Sequence, residues 1–404
     1  MSAIRRRRSV LVTAAVVAAL AVTATACGPE DDGAADEPSA TAQPDDRTKE
    51  RLGLPEDIKL PDSLSIRDLE KWRKGGWKDW DHWAREAKEF INPIIKDLWD
   101  RERMRDAEEG DREVDEDDIP DEQDGNGAGE DQGVTDPTPA RVPAKAVSTP
   151  YEDSAPPVGK VFMDTKKGPA VCSGTVIKDP ENPGKSNLVA TAGHCVHAGA
   201  EGGWLRNIIF VPYYNHRGLP LQELKQAQQQ DITPKGKWWA SWAGTTQHWI
   251  DNGAERGGKG AQKDFAVMKV RPENKGGRSL EEAVGKPAVP VNFGMPRVKS
   301  VTSLSPHGYP AAPPFDGLKM YKCTDRASRL TIDPRQPTMY RVGCTMNGGA
   351  SGGGWLAPTP NGKVQLLSVT SIGPATGGWL AGPRLDKDAR KVLQQVSAKF
   401  GGGN

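Results

Sequence analysis

The stretch Leu188-Val189-Ala190-Thr191-Ala192-Gly193-His194-Cys195 decides how this 404-residue chain is read. An apolar, strand-like run ends on small residues. A histidine then stands at the turn, with a cysteine directly behind it. Upstream, Cys172 sits in the open stretch Val171-Cys172-Ser173-Gly174-Thr175-Val176, and a bridge from Cys172 to Cys195 would lock the backbone beside the imidazole. His82, His197, His216, His248 and His307 have no comparable setting.

A histidine held this way suits a general base, so a nucleophile and an acid are sought. A serine hydroxyl attacks at neutral pH only with a base in contact, an acid fixing the base's tautomer, and amide donors for the oxyanion. Ser351 lies in Asn347-Gly348-Gly349-Ala350-Ser351-Gly352-Gly353-Gly354-Trp355, where glycines permit backbone conformations that other residues resist. There the amides of Gly349 and Ser351 can converge on one oxygen. Asp264 opens the apolar run Phe265-Ala266-Val267-Met268. Asp231 and Asp251 are rivals, but both fall in polar or Trp-rich loops with no β run after them.

Short β-type runs recur through this part of the chain: Ala170 to Ile177, Asn187 to Ala192, Ile208 to Tyr213, Phe265 to Val270, Ser300 to Leu304 and Leu366 to Ser371. Turns rich in Gly, Pro and Asn separate them. No β–α alternation is visible, so an all-β sandwich or barrel is expected. The tail from Asp386 to Phe400 reads as a helix with Ala389, Val392, Leu393 and Val396 on one face.

The blocks Thr191-Ala192-Gly193-His194-Cys195, Asp264-Phe265-Ala266-Val267 and Gly349-Ala350-Ser351-Gly352-Gly353, in that order, resemble the three signature blocks of trypsin-like serine peptidases. The turn His307-Gly308-Tyr309-Pro310 resembles one found in bacterial secreted members, including glutamyl endopeptidases. The resemblance spans roughly residues 158 to 385. It implies an all-β, chymotrypsin-like fold of two six-stranded antiparallel β-barrels, with the active site between them. It implies a triad of His194, Asp264 and Ser351 and an oxyanion hole from the Gly349 and Ser351 amides. It also implies a Cys172–Cys195 disulfide. Cys323–Cys344 follows by elimination, with Cys27 spoken for elsewhere.

The chain departs from the family at Ala350, where animal members carry the aspartate that receives a new N-terminus on activation. That switch is therefore not expected here. A substrate pocket would lie near Thr345, with Thr370 and Ser371 offering hydroxyls. No acid occurs from Gln336 to Ala350, and the strand from Leu366 to Gly373 lacks the histidine of glutamyl-specific members. A small or apolar side chain at the cleavage site is expected. Two other readings compete: a non-catalytic binding barrel, which would be expected to have lost a triad residue, and an esterase, whose Gly-x-Ser-x-Gly elbow precedes its Asp and His.

The N-terminus reads as an export signal over residues 1–26. Arg5 to Arg8 precede an uncharged, Ala-rich run, and small residues stand before Cys27. Arg7-Arg8 also faintly resembles a twin-arginine signal. A membrane-spanning helix is the alternative, though the run is borderline at about 18 residues. Val22-Thr23-Ala24-Thr25-Ala26-Cys27 resembles a lipobox, with Ala24 where Leu is commonest. Cys27 is thus a candidate for lipidation; ordinary cleavage beside an incidental cysteine is the alternative. The expected location is secreted, on the outer face of a bacterial cell membrane.

Residues 27–62 are acidic and Pro-rich, which suits a disordered tether. Residues 63–105 carry five of the twelve tryptophans (Trp72, Trp77, Trp80, Trp83 and Trp99). Ser65 with Asp68 marks a helix start, Gly75-Gly76 a break, Trp80, Trp83, Ala87, Phe90 and Ile94 one helical face, and Asn92-Pro93 an end or kink of that helix. Either a helical hairpin with its own core or a prosegment fits. A stretch of dense acidic charge within 106–150 reads as an extended linker that would leave the Trp-rich part dispensable. The peptidase domain is placed at 151–404. Lys+Arg and Asp+Glu are both 54, so no basic face for nucleic acid is indicated. The expected partner is a protein or peptide substrate, with the membrane touched only through a lipid at Cys27. The chain is expected to be monomeric, with no cofactor and no metal.

Overall fold

The computed structural model describes residues 45–52, 54, 65–82, 90–110, 113–115, 119, 131–274, 276–374 and 376–399. The export signal, Cys27, Trp83 and Ala87 lie outside the described residues.

Six strands build the first half: β1 (Val158–Thr165), β2 (Gly168–Ile177), β3 (Leu188–Thr191), β4 (Arg206–Pro212), β5 (Trp238–Thr245) and β6 (Ala266–Pro272). All pairings are antiparallel, and the circuit β1–β2–β3–β6–β5–β4 closes back on β1. β5 escapes the sequence reading because a bulge between Ala240 and Trp242 interrupts its two-residue period. β1 is buried along nearly its whole length, which suits a run with little alternation. One face of β1 lines the barrel. The other is covered by the N-terminal segment.

The second half holds β7 (Ser305–Gly308), β8 (Tyr321–Lys322), β9 (Ser328–Leu330), β10 (Met339–Cys344), β11 (Gly354–Pro358), β12 (Val364–Val369) and β13 (Gly378–Gly382). Here the pairing is split, with β12–β11–β7–β8 in one sheet and β9–β10–β13 in another. Isolated bridges Leu304↔Asp325 and Ile372↔Ala381 stitch the two sheets around a separate core that includes Tyr340, Trp355 and Leu380. The strand expected over Ser300 to Leu304 does not form: a 3₁₀ turn ends at Ser300, residues 301–303 are irregular, and Leu304 makes only an isolated bridge before the ladder begins. The C-terminal helix Lys387–Ala398 buries the expected face, Ala389, Val392, Leu393 and Val396. It packs so closely that a Cβ on Gly244 would meet Val396 Cγ2 at 2.9 Å.

Among the described residues, the N-terminal part forms a small cluster of its own and also packs on the first barrel. Asp46–Leu52 is helical, and Leu52 packs with Leu54, Leu69, Trp72, Trp77 and Ile91. Ser65 and Asp68 form a reciprocal capping box at the start of the helix Ile66–Arg73, and Gly75 ends it in a left-handed conformation at φ 103°. The helical face does not continue to Ile94. From Phe90 to Ile94 the chain is non-helical, because Asn92 turns its amide onto barrel strands. Its Nδ2 donates to the carbonyls of Ile208 and Ala240, and its Oδ1 accepts from the amide of Ile208.

Two indoles fix the rest. Trp72 Nε1 donates to Asn207 Oδ1, and Trp99 Nε1 donates to the Asn207 carbonyl at 2.6 Å. Asn207 can offer both because it adopts a positive φ of 51° beside a register shift between β1 and β4. Arg103 pairs with the buried Asp164 at 2.5 Å and lies over the Trp99 ring.

The acidic stretch is also partly docked. Glu108–Glu109 pairs in parallel with Ala170–Val171, and Glu113–Val114 with Gly373–Pro374. Asp136 binds Arg329, and Asp131 accepts from the amide of Val298. Like charge favours extension only where no cation or free amide competes for the carboxylates, and here both do.

Candidate active site

His194 lies in the 3₁₀ turn Gly193–Cys195, directly after β3 and Ala192. Gly193 has no space for a side chain, since a Cβ would come within 2.8 Å of Asp264 Oδ1. Asp264 follows the turn Ala261–Lys263 at the mouth of β6 and is fully buried. Its Oδ1 accepts the backbone amide of His194 at 2.8 Å, and its Oδ2 faces His194 Nδ1 at 2.7 Å. A carboxylate there holds the proton on Nδ1 and leaves Nε2 as the acceptor. Nε2 is buried and has no hydrogen-bond partner among the described residues. Trp249 backs the imidazole edge-on at 6.2 Å.

Ser351 comes from the second half, on a turn between Gly349 (φ 87°) and Gly352 (φ 77°). Its carbonyl accepts the amide of Ser173 at 2.7 Å. A Cβ on Gly352 would sit 2.9 Å from the amide nitrogen of Ala192, so this turn is pressed onto the turn that carries His194. Ser173 also donates its hydroxyl to the Gly349 carbonyl. The Gly349 and Ser351 amides donate to no backbone carbonyl among the described residues. Ala350 is fully buried beneath Gly308, whose position would bring a Cβ within 3.1 Å of it.

The disulfides join Cys172 to Cys195 and Cys323 to Cys344. The close grouping of Cys172, His194 and Cys195 is thus a disulfide beside an imidazole rather than a set of thiolate ligands.

The three hydroxyls expected in a substrate pocket each have a hydrogen-bond partner within the protein. Ser371 donates to Asp264 Oδ2 at 2.5 Å. Thr370 accepts from Trp355 Nε1, and Thr345 accepts from the amide of Ala144. Ser371 thereby joins the site as a support for the carboxylate, a role that its place in an apolar strand did not signal. Sequence reasoning also missed Lys263, whose Nζ binds Asp386 at 2.5 Å and Asp388 at 2.6 Å. This fastens the residue before Asp264 to the start of the C-terminal helix.

A cleft of about 540 Å³ opens beside His194. Thr165–Lys167, Ala198, Trp249 and Asn252–Glu255 line it, and Trp80, Glu109 and Gly110 reach in from the N-terminal segment.

A closed β-barrel carrying a histidine bound to a buried aspartate, with a serine on a glycine-rich turn of a second β half, matches a trypsin-like serine peptidase. The chain belongs to this class, and it is a serine endopeptidase of the chymotrypsin fold.

Several solved structures are similar. A thermostable serine protease, AL20, from an extremophilic microorganism is 30% identical over 60% of this chain and 97% of its own, with a TM-score of 0.48. The protease Anisep from Arthrobacter nicotinovorans is 26% identical over 63% and 99%, with a TM-score of 0.49. A Glu endopeptidase is 17% identical over 66% and 100%, with a TM-score of 0.42. No family model and no curated protein matches the chain.

Proposed function

We propose that Ser351 is the nucleophile, His194 the general base and then acid, and Asp264 the group that orients it. Nε2 takes the hydroxyl proton as Ser351 Oγ attacks the scissile carbonyl. The amides of Gly349 and Ser351 receive the negative charge that forms on the carbonyl oxygen. The proton then passes to the leaving amine, and water repeats the sequence on the acyl-enzyme. The observation that carries this reading is the double engagement of Asp264, one oxygen on the backbone and the other on the ring of the same histidine. Such a clamp fixes tautomer and position together.

The absence of an acid from Gln336 to Ala350 supports a small or apolar residue at the cleavage site. The N-terminal sequence supports export and a lipid at Cys27. Metabolic labelling with a tagged fatty acid, lost in Cys27→Ala, tests the anchor. Ser351→Ala tests the chemistry. Loss of a triad member lowers turnover by about 10⁴ to 10⁶ and abolishes labelling by a fluorophosphonate probe. A variant that keeps its activity would place the nucleophile elsewhere.

A further inference from the structure

Beyond the contacts of Trp72, Asn92, Trp99 and Arg103, the N-terminal segment makes two short β pairings with the body of the protein, and each lies next to the site. Glu108–Glu109 pairs with Ala170–Val171, the residues just before Cys172. Cys172 is bonded to Cys195, the neighbour of His194, and Ser173 holds the Ser351 carbonyl. Glu113–Val114 pairs with Gly373–Pro374, which begins two residues after Ser371, the partner of Asp264. One pairing therefore abuts the histidine and serine, and the other abuts the aspartate.

From Glu109 to Glu113 is a step of four residues, which spans at most about 14 Å. Both ends are anchored. Val114 is fully buried among Ala261, Ile372 and Trp379, at the seam between the two halves. Met104 and Ala107 are buried in the hydrophobic cluster that they share with the first barrel's residues. Glu109 and Gly110 line the same cleft as His194, and Nε2 of that histidine is shut off from solvent.

An extended substrate binds a peptidase by adding a strand to free backbone edges, with side chains filling pockets. The edges flanking this site are Ala170–Val171 and Gly373–Pro374. Both are already taken by the chain's own backbone.

We infer that the segment around Glu108–Glu109 and Glu113–Val114 is a built-in strap that occupies the substrate's binding edges and holds the enzyme latent. The inference rests on the peptidase reading above. Hydrolysis of a protein substrate then requires the strap to leave both edges. This gives the chain a latency device that makes no use of the aspartate missing at position 350.

The test uses the full chain, fluorescein-labelled casein and a fluorophosphonate probe. Val114→Asp places a charge in a dry anchor. A second variant inserts six Gly/Ser residues between Asp111 and Arg112 and changes none of the paired residues or Val114. Both variants are expected to hydrolyse casein at least tenfold faster than the wild type, and a peptide of residues 106–119 added in excess should return them toward the wild-type rate. If Val114→Asp does not fold, the insertion variant decides. A wild type as fast as the variants, or variants indifferent to the peptide, would overturn the strap while leaving the peptidase reading intact. If the wild type and both folded variants neither cleave casein nor take up the probe, the peptidase reading falls and the strap with it.

Discussion

Ser371 donates its hydroxyl to Oδ2 of Asp264 at 2.5 Å, the same oxygen that faces the imidazole of His194. The bond ties the second half of the molecule to the acid of the first. Ser371→Ala is expected to lower kcat by about tenfold with little change in KM, since a hydrogen bond to a charged group is worth about 1.5–3 kcal/mol. Steady-state kinetics on a peptide substrate checks this. An unchanged kcat would show that Asp264 is held by other contacts alone.

The Trp-rich segment is part of the folded body. Trp99 is fully buried, stacks near Phe162 with ring centres 5.6 Å apart, and bonds to Asn207. Trp99→Ala is expected to destabilise the protein by about 3–5 kcal/mol. A chain beginning near Pro143 would strip Phe90, Trp99 and Met104 from the outer face of the barrel and is expected to be insoluble or partly unfolded. Urea denaturation of the point variant and sedimentation of the truncated chain measure the two effects. A truncated chain that unfolds like the full one would return the segment to the status of a spacer.

Lys160 is buried on β1. Its Nζ donates to the Gly317 carbonyl and lies 5.2 Å from the Phe162 ring centre and 5.1 Å from that of Tyr214. Burial pulls the amine down to about 7 from its ordinary 10.5, with Asp316 and Glu109 opposing in part. Below pH 7 both folded and unfolded chains hold the proton, and the cost of burying it is fully present. Between pH 7 and 10.5 the unfolded chain holds more protons, so stability rises with pH across that window. Urea midpoints of wild type and Lys160→Met at pH 7 and near pH 10 test the sign. The difference should move in favour of the wild type as pH rises, and a flat difference would refute it.

Lys263 and Asp386 are both largely buried, and Asp388 is half exposed. Removing one partner of a buried pair costs about 3–5 kcal/mol, because the other charge stays behind. Lys263→Met is therefore expected to lower stability by about that amount. Adding Asp386→Asn should recover part of it. Thermal unfolding of the single and double variants gives the coupling, and additive losses would mean that the pair does not act as a unit.

The site was legible where chemistry forces a local pattern. A candidate base at a turn, a candidate nucleophile among glycines and a candidate acid at a strand mouth each leave a mark within a few residues. Most of the β runs and the C-terminal helix were legible from periodicity, whereas the barrel was implied only by the resemblance to trypsin-like peptidases. What stayed hidden depends on contacts between distant segments. The bulge at Ala240–Trp242 breaks the alternation that would announce β5. The positive φ of Asn207, which lets one residue receive two indoles, has no signature in the sequence. The bond from Ser371 to Asp264 stayed hidden because nothing nearby in the chain reveals that Asp264 stands opposite. The partners of Asp131 and Asp136 stayed hidden because charge density tells of repulsion within a segment and is silent about the cations and amides elsewhere.

The pairing of Glu108–Glu109 with Ala170–Val171 bears on solubility as well. Opposite its contact with β1, the outer edge of β2 is covered at these two residues by that pairing. An uncovered strand edge is a template for another chain. Once Glu108–Glu109 lets go, a second molecule can dock where a substrate would, edge against edge. The form free to bind substrate is then also the form most prone to self-association, increasingly so as its concentration rises.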